Sequence, residues 1–315
     1  MSGEVIYGRG GAYDHRLVSP GDDRRHEVRL TGLEPGTVYG YWVATSGYPL
    51  SEAGSFRTAP LPEDPSFTFV AYGDSRSGHT VHRQIADAIL ALKPDFSMHT
   101  GDLVARGRSS AEWDRFFELE AGLLASVPLF PSPGNHEGND RRYFDAFVLP
   151  GNERWYTFDW GNARLISLQI DAIMPFGKQS EQVQWLEATL AANTQPWLIV
   201  LFHVPPYDAL PEDTMGDAVR INLVPLFERY GVDLVLSGHN HNYQRSIVNG
   251  ITYIVTGGAG AELDFIAGPD PDTEAFYNGH HLVHFSVDGS TLTAQAIALD
   301  GTIVDEFTLE ASNLP

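Results

Sequence analysis

The run Val232-Asp233-Leu234-Val235-Leu236-Ser237-Gly238-His239-Asn240-His241 joins an apolar segment to two imidazoles one residue apart. The apolar part reads as a short buried strand, closed by a glycine. Neutral imidazole is a common ligand for Zn, Fe, Mn and Ni. Two histidines at this spacing could hold one metal in extended geometry, or two neighbouring metals if the turn splays them. Alone the pair is a weak signal, because paired loop histidines are more often solvated. Its meaning depends on what the other strand ends carry.

Four further apolar runs end in the same way. Phe69-Val70-Ala71-Tyr72 leads into Gly73-Asp74-Ser75-Arg76. Phe96-Ser97-Met98-His99-Thr100 leads into Gly101-Asp102. Pro128-Leu129-Phe130 leads into Pro133-Gly134-Asn135-His136-Glu137. Leu198-Ile199-Val200-Leu201-Phe202 leads into His203. Ligands of open α/β sheets gather outside the carboxyl ends of strands. Asp74, Asp102, Asn135, His203, His239 and His241 could therefore line one polar pocket. Six ligands exceed the four of a single zinc and suit two ions that share a carboxylate.

Composition bounds the reading. The chain has 315 residues, a net charge of −21 and no cysteine. Thiolate metal sites and disulfides are thereby excluded. The acidic field disfavours nucleic acid polymers and anionic membranes, and no run is long enough for a membrane helix. Met1-Ser2-Gly3-Glu4 shows no signal peptide.

Residues 1–60 read differently from the rest. Short β-type runs at 4–7, 26–31, 38–44 and 54–58 are separated by turns, which predicts a small all-β module. The stretch from Leu33 to Val43 resembles the fibronectin type III signature, with Tyr39 in the tyrosine-corner role. The module is expected to be an incomplete sandwich, covered by the catalytic region or by a second chain in a homodimer. Residues 61–66 form a Pro-rich linker. From 67 to 315, strands alternate with helices and then give way to hairpins. Helices are expected at 80–92, 110–124, 180–190 and 219–230, the last with Pro225 inside it. This predicts an α/β (α+β) core with mixed sheets.

The five ligand-bearing turns, in this order, resemble the calcineurin-like metallophosphoesterase superfamily. The run His239-Asn240-His241-Asn242-Tyr243-Gln244-Arg245 and His203-Val204-Pro205-Pro206-Tyr207 are most similar to its purple acid phosphatase branch. The resemblance implies a four-layer α/β/β/α sandwich holding two metal ions drawn from Fe, Mn, Zn or Co. It implies that Asp74 and His241 bind the first ion and that Asp102 bridges both. Asn135, His203 and His239 would bind the second. His136 would contact the phosphoryl group and assist the leaving oxygen. The implied reaction is hydrolysis of phosphate monoesters or diesters by in-line attack of a metal-bound hydroxide. A secreted or periplasmic bacterial setting is implied as well.

Two departures from the pattern stand out. The branch's tyrosine three residues after the bridging aspartate is Ala105 here. Other superfamily members carry a histidine at the position of Arg76, which cannot ligate because it stays protonated. The first ion is thus one protein ligand short, and His79 is the nearby imidazole that could reach it. Arg76 could pair with phosphate or with a carboxylate, and Tyr207 could touch substrate or pack. The acidic loops 204–217 and 257–279 should ring the site. A nucleotidase-like enzyme of the same fold, and a non-catalytic surface-binding protein, are the competing readings.

Overall fold

The computed structural model describes residues 3–19, 26–45, 48–49, 53–171, 174–209, 214–264 and 272–312. Five strands come first: β1 (Gly3–Arg9), β2 (His15–Ser19), β3 (Val38–Thr45), β4 (Tyr48–Pro49) and β5 (Gly54–Arg57). Then follow β6 (Ser66–Tyr72), α1 (His79–Leu92), β7 (Phe96–His99), α2 (Ser110–Leu124), β8 (Leu129–Pro131) and α3 (Arg141–Ala146). The middle of the chain holds β9 (Tyr156–Trp160), β10 (Ala163–Ser167), α4 (Glu181–Ala191), β11 (Trp197–Leu201), α5 (Thr214–Asn222), α6 (Val224–Tyr230) and β12 (Leu234–Ser237). It closes with β13 (Tyr243–Val248), β14 (Ile251–Thr256), β15 (Thr273–Tyr277), β16 (His281–Asp288), β17 (Thr291–Ala298) and β18 (Ile303–Glu310).

Two mixed sheets form the body. One has the order β15-β13-β14-β12-β11-β10-β9, the other β18-β17-β16-β6-β7-β8. In the first, β10, β11, β12 and β14 run parallel; in the second, β6, β7 and β8 do. Strand β11 shows why the layers stack. Trp197, Ile199 and Leu201 point into the core between the sheets, whereas Leu198 and Val200 point into the core under the helices. This is the two-residue period of a strand buried on both faces. Strand β6 divides likewise, with Phe67, Phe69 and Ala71 between the sheets and Val70 and Tyr72 toward α1. Helices α4, α5 and α6 cover one sheet and α1 and α2 the other, which gives the expected four-layer sandwich.

Local chemistry sets the helix ends. The Ser109 and Ser180 side chains accept from the backbone N–H three residues on, at 3.4 Å and 3.3 Å, and so cap α2 and α4. The expected helix 219–230 is two helices, α5 and α6, divided at Leu223. Pro225 sits in the first turn of α6, where a missing N–H costs nothing.

The N-terminal strands form one antiparallel sheet among the described residues, in the order β2-β1-β3-β4 with β5 also on β3. The expected strand at 26–31 is not one. Strand β1 pairs with β2, to which the turn at Gly10-Gly11 returns the chain. Val28 and Leu30 of that run instead line a cavity of about 280 Å³ with Tyr41, Phe56 and the turn after α2. The Tyr39 hydroxyl accepts from the Glu34 N–H at 2.9 Å, the kind of contact a tyrosine corner makes. The body of the protein meets this sheet directly. Tyr41 Oη and Ser55 N both donate to Ala125 O, each at 3.1 Å, and Arg57 pairs with Asp95 at 3.1 Å.

Phe69 is fully buried and stacks on Phe285 at 4.5 Å and Phe96 at 5.2 Å. Phe69→Ala should destabilise the fold by ~3–5 kcal/mol in urea titration. A loss below about 1 kcal/mol would show that the two sheets do not share a tightly packed core.

Candidate metal centre

Each ligand-bearing turn leaves the carboxyl end of a parallel strand. Asp74 follows β6, Asp102 follows β7, Asn135 and His136 follow β8, His203 follows β11, and His239 and His241 follow β12. Because these strands run parallel within each sheet, all five turns emerge at one edge of the sandwich. Hydrogen bonds then stitch the two sheets together there. His203 Nδ1–H donates to Thr100 O at 2.9 Å, and the His239 N–H donates to Asp74 Oδ2 at 2.9 Å. The turns approach so closely that side chains are excluded at two positions. A Cβ on Gly134 would lie 2.3 Å from Asp102 Oδ1, and one on Gly238 would lie 2.4 Å from Asp74 Oδ2. Asp74, Asp102 and His239 themselves hold positive φ of 57°, 57° and 71°, a conformation costing about 1–3 kcal/mol each that packing must impose.

The structure brings the six expected ligands together. One ligand atom each from Asp74, Asp102 and His203 lies within 4.8 Å of the others. His203 Nε2 stands 3.0 Å from Asn135 Oδ1, 3.3 Å from His239 Nδ1 and 3.4 Å from Asp102 Oδ1. His239 Nδ1 is 3.1 Å from Asn135 Oδ1. With its proton given to Thr100 O, a neutral His203 turns a lone pair from Nε2 onto an amide oxygen, a carboxylate oxygen and a second ring nitrogen. Such convergence of acceptors is repulsive unless a cation or a proton lies among them. Asp74 Oδ1 adds to this: it is buried with no hydrogen-bond partner among the described residues, facing His241 Nε2 at 3.5 Å. Both features fit a divalent ion.

The electrostatics follow from burial and crowding. Burial alone would raise Asp102, but His203, His136 and Arg76 outweigh it and hold its carboxyl below the usual range. Burial alone would lower His203, yet the Asp102 and Asp74 carboxylates raise it on balance. His241 is raised in the same way by Asp74 and Asp264.

Glu137 has no place among the ligands expected from the sequence, yet it organises the site. It is buried beneath the turns and accepts from Gly134 N at 2.7 Å, Asp102 N at 2.9 Å and Val104 N at 3.2 Å. It thereby ties the Asn135 turn to the Asp102 turn. Burial and the Asp102 charge push its carboxyl up to about 8.

The remaining candidates separate. His136 donates from Nδ1 to Ala105 O at 2.8 Å, which leaves Nε2 facing the cluster, 3.7 Å from Asp102 Oδ2. Arg76 lies on the cluster as well, with Nε 3.1 Å from Asp102 Oδ2 and Nη2 3.4 Å from His241 Nε2. The described ring contacts of Tyr207 are with Tyr253 and Arg220, which is the packing alternative. His79 opens α1 and is exposed. His82, His99 and His281 are buried on Glu120, Ser75 and Thr256 respectively. Of the acidic loop residues, Asp264 reaches the site, accepting from the His241 N–H at 2.7 Å. Glu212, Asp213 and Asp270 lie outside the described residues.

Comparison with known proteins bears on this geometry. The family model for calcineurin-like phosphoesterases matches residues 67–243, which contain every one of these turns. The chain belongs to the calcineurin-like phosphoesterase family. Its relatives include an uncharacterized protein of Mycobacterium tuberculosis, 30% identical over 271 residues, 71% of this chain and 51% of that one. Purple acid phosphatase 18 of Arabidopsis thaliana is 28% identical over 256 residues, 76% of this chain and 57% of that one. A purple acid phosphatase from yellow lupin seeds shares the fold, with a TM-score of 0.82 at 22% identity, over 98% of this chain and 69% of that one. The purple acid phosphatase branch expected from the sequence is the one these relatives represent. The chain spans about half the length of the curated relatives named here. Among the described residues no helix is long and apolar enough to cross a membrane.

Metal binding requires neutral imidazoles, and His203 and His241 titrate above the ordinary value. Affinity of metal-stripped protein for Zn²⁺ or Mn²⁺ should therefore fall as pH drops from above about 6.5, roughly tenfold per unit for each proton displaced. Calorimetric titration from pH 8 to 5.5 reads this, and a flat affinity would remove both histidines from the ligand set. The linked stability runs the other way. Raised groups stabilise the stripped fold below their unfolded pKa, and that contribution is lost as pH rises, so its thermal midpoint should be lower at pH 8 than at pH 6. Glu137, raised to about 8, acts with the same sign.

Proposed function

We propose that this protein hydrolyses phosphate monoesters and diesters with divalent metal ions held at the edge of the sandwich. The observation that carries the reading is the convergence of Asn135 Oδ1, His239 Nδ1 and Asp102 Oδ1 on His203 Nε2 at 3.0, 3.3 and 3.4 Å, beside His136, whose Nε2 faces Asp102 Oδ2. Two adjacent positions share Asp102. Asp74, Asp102 and His241 surround the first, and Asp102, Asn135, His203 and His239 the second. A divalent ion there supplies Lewis acidity, which makes water a nucleophile near neutral pH and draws phosphoryl oxygens.

The chain's own residues do the rest. Asp102, its backbone N–H fixed by Glu137, keeps the two ligand turns in register. His136 Nδ1–H is held by Ala105 O, so the neutral ring presents a lone pair at Nε2, and the protonated ring presents there a second N–H that can pass to the departing oxygen. A cavity of about 350 Å³ opens beside it, lined by Ala105, Arg106, Arg108, Asn135 and Asp140. That space suits the alcohol portion of the ester, and its two arginines favour a polar or anionic one. Arg106 is itself exposed and paired with Glu112 at 3.3 Å.

A panel of p-nitrophenyl phosphate, its bis-ester and nucleotides, run with Mn, Fe, Zn and Co, tests the reading. Asp102→Ala should lose bound metal and turnover together. His136→Ala should keep its metal and lose ~10²–10⁴-fold in kcat. Absence of hydrolysis with every metal would leave the non-catalytic, surface-binding reading in its place. Preference for nucleotides would select the nucleotidase-like one.

A further inference from the structure

The two ion positions are not equally built, and the difference lies in Arg76. The second position has four protein ligands: His203 Nε2 stands 3.0 Å from Asn135 Oδ1, 3.3 Å from His239 Nδ1 and 3.4 Å from Asp102 Oδ1, and His239 Nδ1 stands 3.1 Å from Asn135 Oδ1. The first has three, one of them shared. Two of those three already carry a cation. Arg76 Nε donates to Asp102 Oδ2 at 3.1 Å, and Arg76 Nη2 lies 3.4 Å from His241 Nε2. His241 Nδ1 lies 2.5 Å from Glu262 O, so in the neutral ring Nδ1–H donates there and Nε2 holds the lone pair. A guanidinium has only donors, so it takes up that lone pair. An ion at the first position would need the same Asp102 oxygen and the same His241 nitrogen, beside Asp74 Oδ1. The arginine is anchored rather than loosely placed: its side chain is one-fifth exposed, and its backbone N–H donates to Asp102 O at 3.3 Å. Ala105, at the other departure from the pattern, offers no ligand to tip the competition back.

We propose that the resting protein retains one tightly bound ion, at Asp102, Asn135, His203 and His239, with the Arg76 guanidinium standing where a second ion would otherwise bind. This rests on the phosphoesterase reading above. A guanidinium carries one permanent charge and a planar fork of N–H donors matched to phosphoryl oxygens. Arg76 would thus turn from Asp102 and His241 toward the substrate's phosphoryl oxygens and supply the positive charge that the second ion gives in a two-metal site.

Metal content after exhaustive dialysis, read by elemental analysis, tests the proposal. Wild type should retain about one Mn or Zn per chain, and a stripped sample should titrate in two phases at least about 100-fold apart in Kd. Arg76→His, which replaces the competing cation by a ligand, should retain two. Arg76→Ala, which only removes the cation, should bring the weaker phase at least about tenfold tighter. It also keeps the test open should the histidine variant fold poorly. His239→Ala should lose the retained ion, and His241→Ala should keep it. Two equally tight ions in wild-type protein with full hydrolysis would overturn the inference and leave the functional reading intact. Loss of the ion in His241→Ala with retention in His239→Ala would also overturn it. No bound metal and no hydrolysis in wild type would overturn the functional reading itself.

Discussion

Asp102 is a buried carboxylate crowded from four sides, and the arrangement of the site depends on it. Oδ1 accepts from the His136 N–H at 2.9 Å and faces His203 Nε2; Oδ2 accepts from Arg76 and faces His136 Nε2. Its own N–H is held by Glu137. A buried charge of this kind persists only when it is paired and hydrogen-bonded. The partners come from the turns after β6, β8 and β11, so the carboxylate links the two sheets at their shared edge. That linkage needs backbone at positive φ in Asp74, Asp102 and His239, and glycine where the turns touch. The packed cores beneath hold those turns in a conformation they would not adopt alone.

Much of this was legible because strands ending in ligands leave a double mark. The apolar run gives the strand by its two-residue period, and the polar turn at its end gives the site. The five turns carry both marks, and the six candidate ligands on them stand together in the structure. Elements without such marks were harder to see. Strand β13 begins at Tyr243, directly after the two candidate ligand histidines, and reads as part of their motif. The signal for it lay further on, in Asn249-Gly250, whose φ of 50° and 85° form a tight hairpin turn into β14. The segment 26–31 shows the opposite error. Its alternation is real, since Val28 and Leu30 face a cavity while the chain makes no ladder. Periodicity reports burial on one side, and hydrogen bonding decides whether a buried side belongs to a sheet.

Residues that work through backbone contacts left no trace of their role. Glu137 was visible as part of Gly134-Asn135-His136-Glu137, but its three N–H donors come from two turns more than thirty positions apart in the chain at the furthest. No spacing rule connects a carboxylate to amides across such a gap. Arg76 is similar. Its identity marked a missing ligand, while its partners, Asp102 and His241, stand 26 and 165 positions away. Composition can say that a cation occurs where a ligand was expected. Only the fold says which anion and which lone pair it meets.

The charge balance makes those local cations consequential. With 41 acidic and 20 basic residues, the far field of the protein repels an anionic ester. At physiological salt that field is screened beyond about 8 Å, so the last approach is governed by groups at the site. There the order is reversed. The Asp102 and Asp74 carboxylates are turned inward and committed to histidines, to the His239 N–H and to Arg76. The cavity beside the cluster is lined by His136 and the arginines at 106 and 108, with Asp140 among them. An ester of the proposed kind would thus meet repulsion at long range and donors at short range. Selectivity in such a field comes from contact geometry more than from steering. Under the proposed reading, a phosphoryl group would gain there because its oxygens can engage more than one donor at once.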